Sequence, residues 1–138
     1  MKVIIVSVNN PGKCIHLKSG DGQNGDICHI WDIQRGSYPM QEWVYERGLL
    51  ISVNNPGKCI HLKSGDGHNG DICHLWDIQG GSYPMQEWRY ERGLLISLNN
   101  PGKCIHLKTG DGRNGDICHL WDIQGGSYPM QEWELRRI

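Results

Sequence analysis

One passage, CIHLKSGDGQNGDICHIWDIQRGSYPMQEW at Cys14–Trp43, returns almost unchanged at Cys59–Trp88 and at Cys104–Trp133, a period of 45 residues in a chain of 138. Internal repetition decides architecture before local propensity does. Three such copies can form a solenoid, three propeller blades or a closed threefold fold. Propellers generally need four or more blades. Solenoids need end repeats that differ from the middle ones, and these do not differ. The closed form fits, with repeat units 1–47, 48–92 and 93–138 in a single domain spanning 1–138.

Each copy reads as four strands. VIIVSV (3–8) is a β-branched run stopped by Asn9-Asn10-Pro11-Gly12, a strong turn signal. KCIHLK (13–18) alternates, placing Ile15 and Leu17 on one face and Cys14, His16 and Lys18 on the other. SGDGQNG (19–25) is a glycine-rich hairpin loop. DICHIWDI (26–33) alternates again, with Ile27, His29 and Trp31 opposed to Cys28, Ile30 and Asp32. After a loop at 34–39, MQEWVYE (40–46) is the fourth strand. No apolar stripe with a 3.6-residue period occurs. Twelve strands in three units of four predict an all-β fold, a β-trefoil.

The residue balance narrows the partners. The formal net charge is -1 and no basic block occurs, so nucleic acid and anionic lipid are poor partners. No stretch approaches the ~20 apolar residues of a membrane span. The opening MKVIIVSV is too short for a signal peptide core, and its apolar part returns as LLISV (49–53) and LLISL (94–98). It is expected to be a strand. A cytoplasmic protein, or one released by a non-signal route, is expected.

Gln41-Glu42-Trp43, Gln86-Glu87-Trp88 and Gln131-Glu132-Trp133 resemble the Q-x-W motif of the R-type lectins, the ricin B-chain-like β-trefoils. The upstream G-K-C-I-H-L-K, N-G-D and H-I-W segments are similar to further elements of that family. The resemblance covers the chain three times. It implies non-catalytic carbohydrate binding, with a pocket formed by the second strand, the third strand and the loop that follows. By position, the family's sugar-bonding acid and its aromatic platform fall on His16 and Trp31, His61 and Trp76, and His106 and Trp121. His thus stands where the family keeps an acid. His29, His74 and His119 stand where Gln or Asn is commoner. A shorter similarity, to the mussel mytilectins, suggests Asp32, Asp77 and Asp122 as replacement carboxylate acceptors. The sugars implied are terminal galactose or N-acetylgalactosamine.

Three readings of the Cys- and His-rich passage compete. Cysteines in a chain with no signal segment do not favour disulfides, and Cys14 and Cys28 are expected on opposite faces of their hairpin. Cys28 reads as a small buried hydrophobe; Cys14 reads as the same or as partly exposed. A metal set of Cys14, His16, Cys28 and His29 has the spacing C-x-H-x11-C-H, unlike the short-spaced pairs of zinc sites, so no cofactor is expected. A pocket needs His16, His29 and Trp31 on one face, and alternation supplies that. Neutral imidazole offers one donor and one acceptor. Lys18, Lys63 and Lys108 add a cation at each rim.

Bland roles stand beside these: core packing for Trp31, a solvated strand position for His16, and turn capping for Asp32. Asp21 and Asp26 are expected to fix the hairpin loop. Tyr38 either lines the pocket or covers a barrel end. Partners are then the glycans of glycoproteins or glycolipids, with no membrane insertion, and a homodimer is compatible. The competing class is a protein-binding β-trefoil, which acts through loops that break symmetry; these loops are nearly identical. No Ser-His-Asp order or paired carboxylates suggest an enzyme. If His16 accepts a sugar hydroxyl, binding should weaken as pH falls through ~6.5. The repeats differ at Gln23/His68/Arg113 and Arg35/Gly80/Gly125, loop positions near the expected pockets, so specificity is expected to vary among them.

Overall fold

The computed structural model describes residues 1–138 and contains twelve strands. The first repeat holds β1 (Lys2–Ser7), β2 (Lys13–Leu17), β3 (Cys28–Asp32) and β4 (Trp43–Glu46). The second holds β5 (Leu49–Ser52), β6 (Lys58–Leu62), β7 (Cys73–Asp77) and β8 (Trp88–Glu91). The third holds β9 (Leu94–Ser97), β10 (Lys103–Leu107), β11 (Cys118–Asp122) and β12 (Trp133–Arg137).

Two boundaries depart from the alternation reading. Pro39–Gln41, Pro84–Gln86 and Pro129–Gln131 form single 3-10 turns, so the fourth strand of each repeat starts at its tryptophan. Proline opens the turn because its φ is already set and its missing N–H is not needed there. The third strand starts two residues later than expected, at Cys28. Asp26 turns its carboxylate into the loop, accepting the backbone N–H groups of Ser19 and Gly20 at 2.8 Å each.

All strand pairs are antiparallel. β4 and β5 are joined through Arg47 (φ 54°) and Gly48 (φ 82°), and β8 and β9 through Arg92 (φ 53°) and Gly93 (φ 82°). Two consecutive positive φ values give the type I′ turn, whose twist matches that of the strands. β12 pairs with β1 from Val3↔Arg137 to Ser7↔Trp133, closing the ring between the third repeat and the first.

The other hairpins, β2–β3, β6–β7 and β10–β11, interlock around the threefold axis. Gly25 N–H donates to Leu75 O at 2.7 Å and Leu75 N–H to Asp26 O at 2.8 Å. The same exchange joins Gly70 and Asp71 to Leu120, and Gly115 and Asp116 to Ile30. Each repeat therefore completes its neighbour's backbone pairing.

The core carries Ile15, Leu17, Cys28, Ile30 and Trp43 with their copies. The three tryptophans of the Q-x-W segments are fully buried, and each indole N–H donates to a β2-type carbonyl: Trp43 to Ile15 O, Trp88 to Ile60 O and Trp133 to Ile105 O, at 3.2, 3.1 and 3.0 Å. A buried indole keeps its large apolar contact only when that donor is satisfied.

Candidate functional site

The register of the β2–β3 hairpin builds the site. Lys13 opposes Asp32, Cys14 opposes Trp31, Ile15 opposes Ile30, His16 opposes His29 and Leu17 opposes Cys28. Ile15, Leu17, Cys28 and Ile30 face the core, so Cys14, His16, His29 and Trp31 share the outer face. Cys14 is nonetheless buried, and its thiol donates to Gln41 Oε1 at 3.2 Å. Burial pushes that thiol up to about 12, leaving it protonated. All six cysteines are free and buried. Cys28 and His29 project to opposite faces of the sheet and cannot converge on one ion, and no group of three or more His, Cys, Asp or Glu side chains is placed to hold a metal.

Four rings gather on the outer face. The His16 ring lies 6.0 Å from His29, 6.5 Å from Trp31 and 5.5 Å from Tyr38, centroid to centroid, and His29 stacks on Trp31 at 5.4 Å. The second and third repeats reproduce these separations within a few tenths of an ångström. In the third repeat the walls enclose about 220 Å³ and are His106, Lys108, His119, Trp121, Tyr128 and Met130. Trp31 is 39% exposed, an open plate and not core packing, whereas His16 is only 5% exposed.

The imidazoles are the unusual members. Neither ring nitrogen of His16, nor Nδ1 of His106, has a hydrogen-bond partner within the protein. Buried polar atoms are ordinarily paired, and these imidazoles are the exceptions on this face. Burial holds His16, His61 and His106 below the usual histidine value. It pushes His29, His74 and His119 down to about 4, with the neighbouring histidine and Lys18, Lys63 or Lys108 adding to the effect. Both rings are therefore neutral near pH 7, each with a donor and an acceptor to offer.

The Q-x-W glutamine frames the cavity without filling it. Gln41 Oε1 accepts Gln34 N–H at 3.0 Å, and Gln41 Nε2 donates to Gln34 O at 2.9 Å, which folds the 34–38 loop back over β2. Glu42 accepts Tyr38 N–H at 2.7 Å and so fixes the tyrosine beside His16. The His16 position has two ring orientations: its plane lies 29° from His29 in the first repeat, but the corresponding angles are 78° and 84° in the others. In the second repeat, Gln86 Nε2 lies 3.4 Å from His61 Nδ1.

Of the residues expected from sequence, His16, His29, Trp31 and their copies come together, with Lys18, Lys63 and Lys108 exposed beside them. Asp32 does not join them. Its carboxylate is taken by Lys13 Nζ at 2.6 Å and by Asn114 Nδ2 at 3.1 Å, and Lys13 also donates to Asn114 Oδ1 at 2.6 Å. Asp77 is held by Lys58 and Asn24, and Asp122 by Lys103 and Asn69. These donors hold the three carboxyls below their usual range. The triads tie one repeat's hairpin to the loop of another. Sequence reasoning missed Met40, Met85 and Met130, because strand alternation placed them in β4 and not in a turn above the cavity. Tyr38, left between two roles, lines the site.

A family model described as the ricin-type beta-trefoil lectin domain matches residues 1–133. No curated protein matches the chain in sequence. Among solved structures, the C-half of an earthworm R-type lectin in complex with GalNAc superposes with a TM-score of 0.78 at 18% identity, covering 98% of this chain and 97% of that one. The designed threefold-symmetric protein ThreeFoil superposes with a TM-score of 0.82 at 17% identity, covering 99% of both chains. The agglutinin from Abrus precatorius superposes with a TM-score of 0.79 at 17% identity; 98% of this chain is covered, against 48% of the agglutinin.

Proposed function

Given that the chain belongs to the ricin-type β-trefoil lectin family, and so is a carbohydrate-binding domain, we propose that it is a non-catalytic lectin with three similar pockets for terminal galactose or N-acetylgalactosamine. The observation that carries this reading is an exposed tryptophan, Trp31, Trp76 or Trp121, beside two neutral, buried imidazoles, repeated three times. A pyranose has an apolar C–H face and a rim of hydroxyls. Trp31, Trp76 and Trp121 take the face. His16 and His29, with their copies, exchange hydrogen bonds with hydroxyls from largely buried positions, where such bonds are stronger. Lys18, Lys63 and Lys108 donate from the rim, and Tyr38, Tyr83 and Tyr128 close the far side. The GalNAc held by the earthworm lectin half supports this choice of sugar. Asp32, Asp77 and Asp122 act as positioning groups that keep lysine and asparagine in place between repeats.

One shallow pocket of this kind binds weakly. Three on one rigid body raise avidity by ~10² or more when they engage several glycans together. The chain is then a crosslinker of glycosylated surfaces. The test is a glycan array followed by titration calorimetry and agglutination of galactose-coated beads. Signal on galactose- or N-acetylgalactosamine-terminated glycans is expected, with loss of binding in the Trp31→Ala, Trp76→Ala, Trp121→Ala triple variant. Undiminished glycan binding by that variant would overturn the pocket assignment.

A further inference from the structure

Each repeat holds a second cavity, which in the third repeat adjoins the aromatic one. It is formed by the glycine-rich loop between β2 and β3, or by the same loop in the other repeats, with volumes of about 270, 360 and 290 Å³ in the first, second and third repeats. In the third repeat Lys108 lines both cavities. Met130 forms the wall beside it: a Cβ on Gly110 would stand 2.4 Å from Met130 Cε, so loop and methionine are in contact. Lys108 is therefore a wall common to the aromatic cavity and the loop cavity of the third repeat.

The groups around this cavity divide into engaged and free. Asp116 is engaged, accepting Thr109 N–H at 2.9 Å and Gly110 N–H at 2.7 Å. Asn114 is engaged by Asp32 and Lys13. Asp111 accepts Arg113 backbone N–H at 3.0 Å through one oxygen and keeps the other exposed. The Lys108 ammonium and the Arg113 guanidinium are exposed and enter no ion pair. The first repeat has neutral Gln23 in place of Arg113. The second has His68, whose Nδ1 lies 3.2 Å from Asp66 Oδ2. Apart from Ser19, Ser64 and Thr109, the lining residues of the three cavities are otherwise the same.

We propose that the glycine-rich loop cavity is an extended glycan subsite in which position 23/68/113 sets charge preference, so that the third repeat selects a saccharide carrying a carboxylate on the residue next to its terminal sugar. This rests on the sugar reading of the aromatic pocket. The guanidinium presents paired donors to a carboxylate, and ammonium beside it adds a second charge-assisted bond. The exposed Asp111 oxygen and the surrounding solvent keep the preference modest, about 5-fold at low salt.

The test uses the full chain with single active repeats. Trp31→Ala with Trp76→Ala leaves the third site, and Trp76→Ala with Trp121→Ala leaves the first. The probes are lactobionate and lactitol, which share a terminal galactoside on an open-chain aglycone and differ in a carboxylate against a hydroxymethyl group. In the third-site protein lactobionate should bind about 5-fold tighter, with the preference shrinking toward 1 in about 0.5 M salt. Arg113→Gln should lower the ratio to that of the first-site protein, and Gln23→Arg should raise the first site's ratio to match the third. Binding of both probes with a ratio untouched by Arg113→Gln and Gln23→Arg would overturn the subsite alone. Failure of both probes to bind the unsubstituted chain would overturn the galactoside reading and the subsite with it, whereas binding of lactitol alone would overturn only the subsite.

Discussion

His16 and His29 oppose each other across the β2–β3 hairpin with ring centroids 6.0 Å apart, and neither nitrogen of His16 has a partner in the protein. Two facing imidazoles can both be neutral, but a proton on one raises the cost of a proton on the other. The sequence reading placed the loss of binding near the ordinary histidine value of ~6.5. Burial moves it lower. Affinity for a galactoside is expected to stay flat from pH 8 to about 6 and to fall steeply toward pH 4, where His29 and its copies titrate. Calorimetric titrations at several pH values check this; a midpoint at or above 6.5 would remove the buried-imidazole account.

The same histidines make folding stability depend on pH. His29, His74 and His119 titrate near 4 when folded and near 6.5 when unfolded. Between those values the unfolded chain binds more protons, so stability is complete above ~6.5 and declines as pH falls toward 4. Each site loses on the order of 2–3 kcal/mol over that window. Urea midpoints measured from pH 7 to 4 should fall without a change of slope. Replacing all three of these histidines by Gln should make the decline shallower and leave the part due to His16, His61 and His106, which burial also holds below the usual value.

Strand alternation made the faces of the site legible: Ile15, Leu17, Cys28 and Ile30 went to the core, and His16, His29 and Trp31 to the open side. A period of two is sufficient for that, because a one-residue slip would bury every polar group of the hairpin. Alternation failed at Met40 and Gln41, where Pro39 imposes a turn before β4 can begin. Nothing local announces the bonds between repeats. Asp32 meets Asn114 across 82 positions of sequence, and Asn10 Nδ2 donates to Gly112 O at 2.9 Å across 102. Such partners are set by threefold closure, which a reading of one repeat does not contain. That is why one repeat read alone leaves Asp32 between a sugar acceptor and a turn-capping carboxylate and does not find its bond to Asn114.

Asp122→Asn tests that reassignment. The change keeps the shape but removes the charge that Lys103 and Asn69 engage. A small fall in Tm is expected, because the carboxylate is exposed and its ion pair is screened. Affinity of the third site for a galactoside should change by less than about 2-fold, the scale of an indirect surface effect. A loss of binding without a loss of stability would return Asp122 to the sugar's contact shell.

The two tryptophans of each repeat should behave oppositely. Trp43, Trp88 and Trp133 fill the core, with at most 1% of their surface exposed. Trp88→Ala should cost about 3–5 kcal/mol, for lost burial and the cavity left behind. Trp76→Ala, at an exposed position, should cost under about 1 kcal/mol and remove one site. Chemical denaturation separates the two; equal losses would mean that Trp76 is part of the packing.

Gly110 links loop conformation to pocket shape. Its φ is +71°, and a Cβ there would collide with Cε, Sδ and Cγ of Met130, at 2.4, 2.5 and 2.8 Å. Gly110→Ala therefore carries a backbone penalty of about 1–2 kcal/mol and a steric one. The methionine has three flexible torsions and can move, and the cavity it lines is the space open to it. The variant should fold, with lower stability and weakened third-site binding. Adding Met130→Ala removes the collision but leaves the left-handed backbone, so binding should recover more fully than Tm. Recovery of both in equal measure would show that the side-chain clash, and not the positive φ, is what reserves this position for glycine.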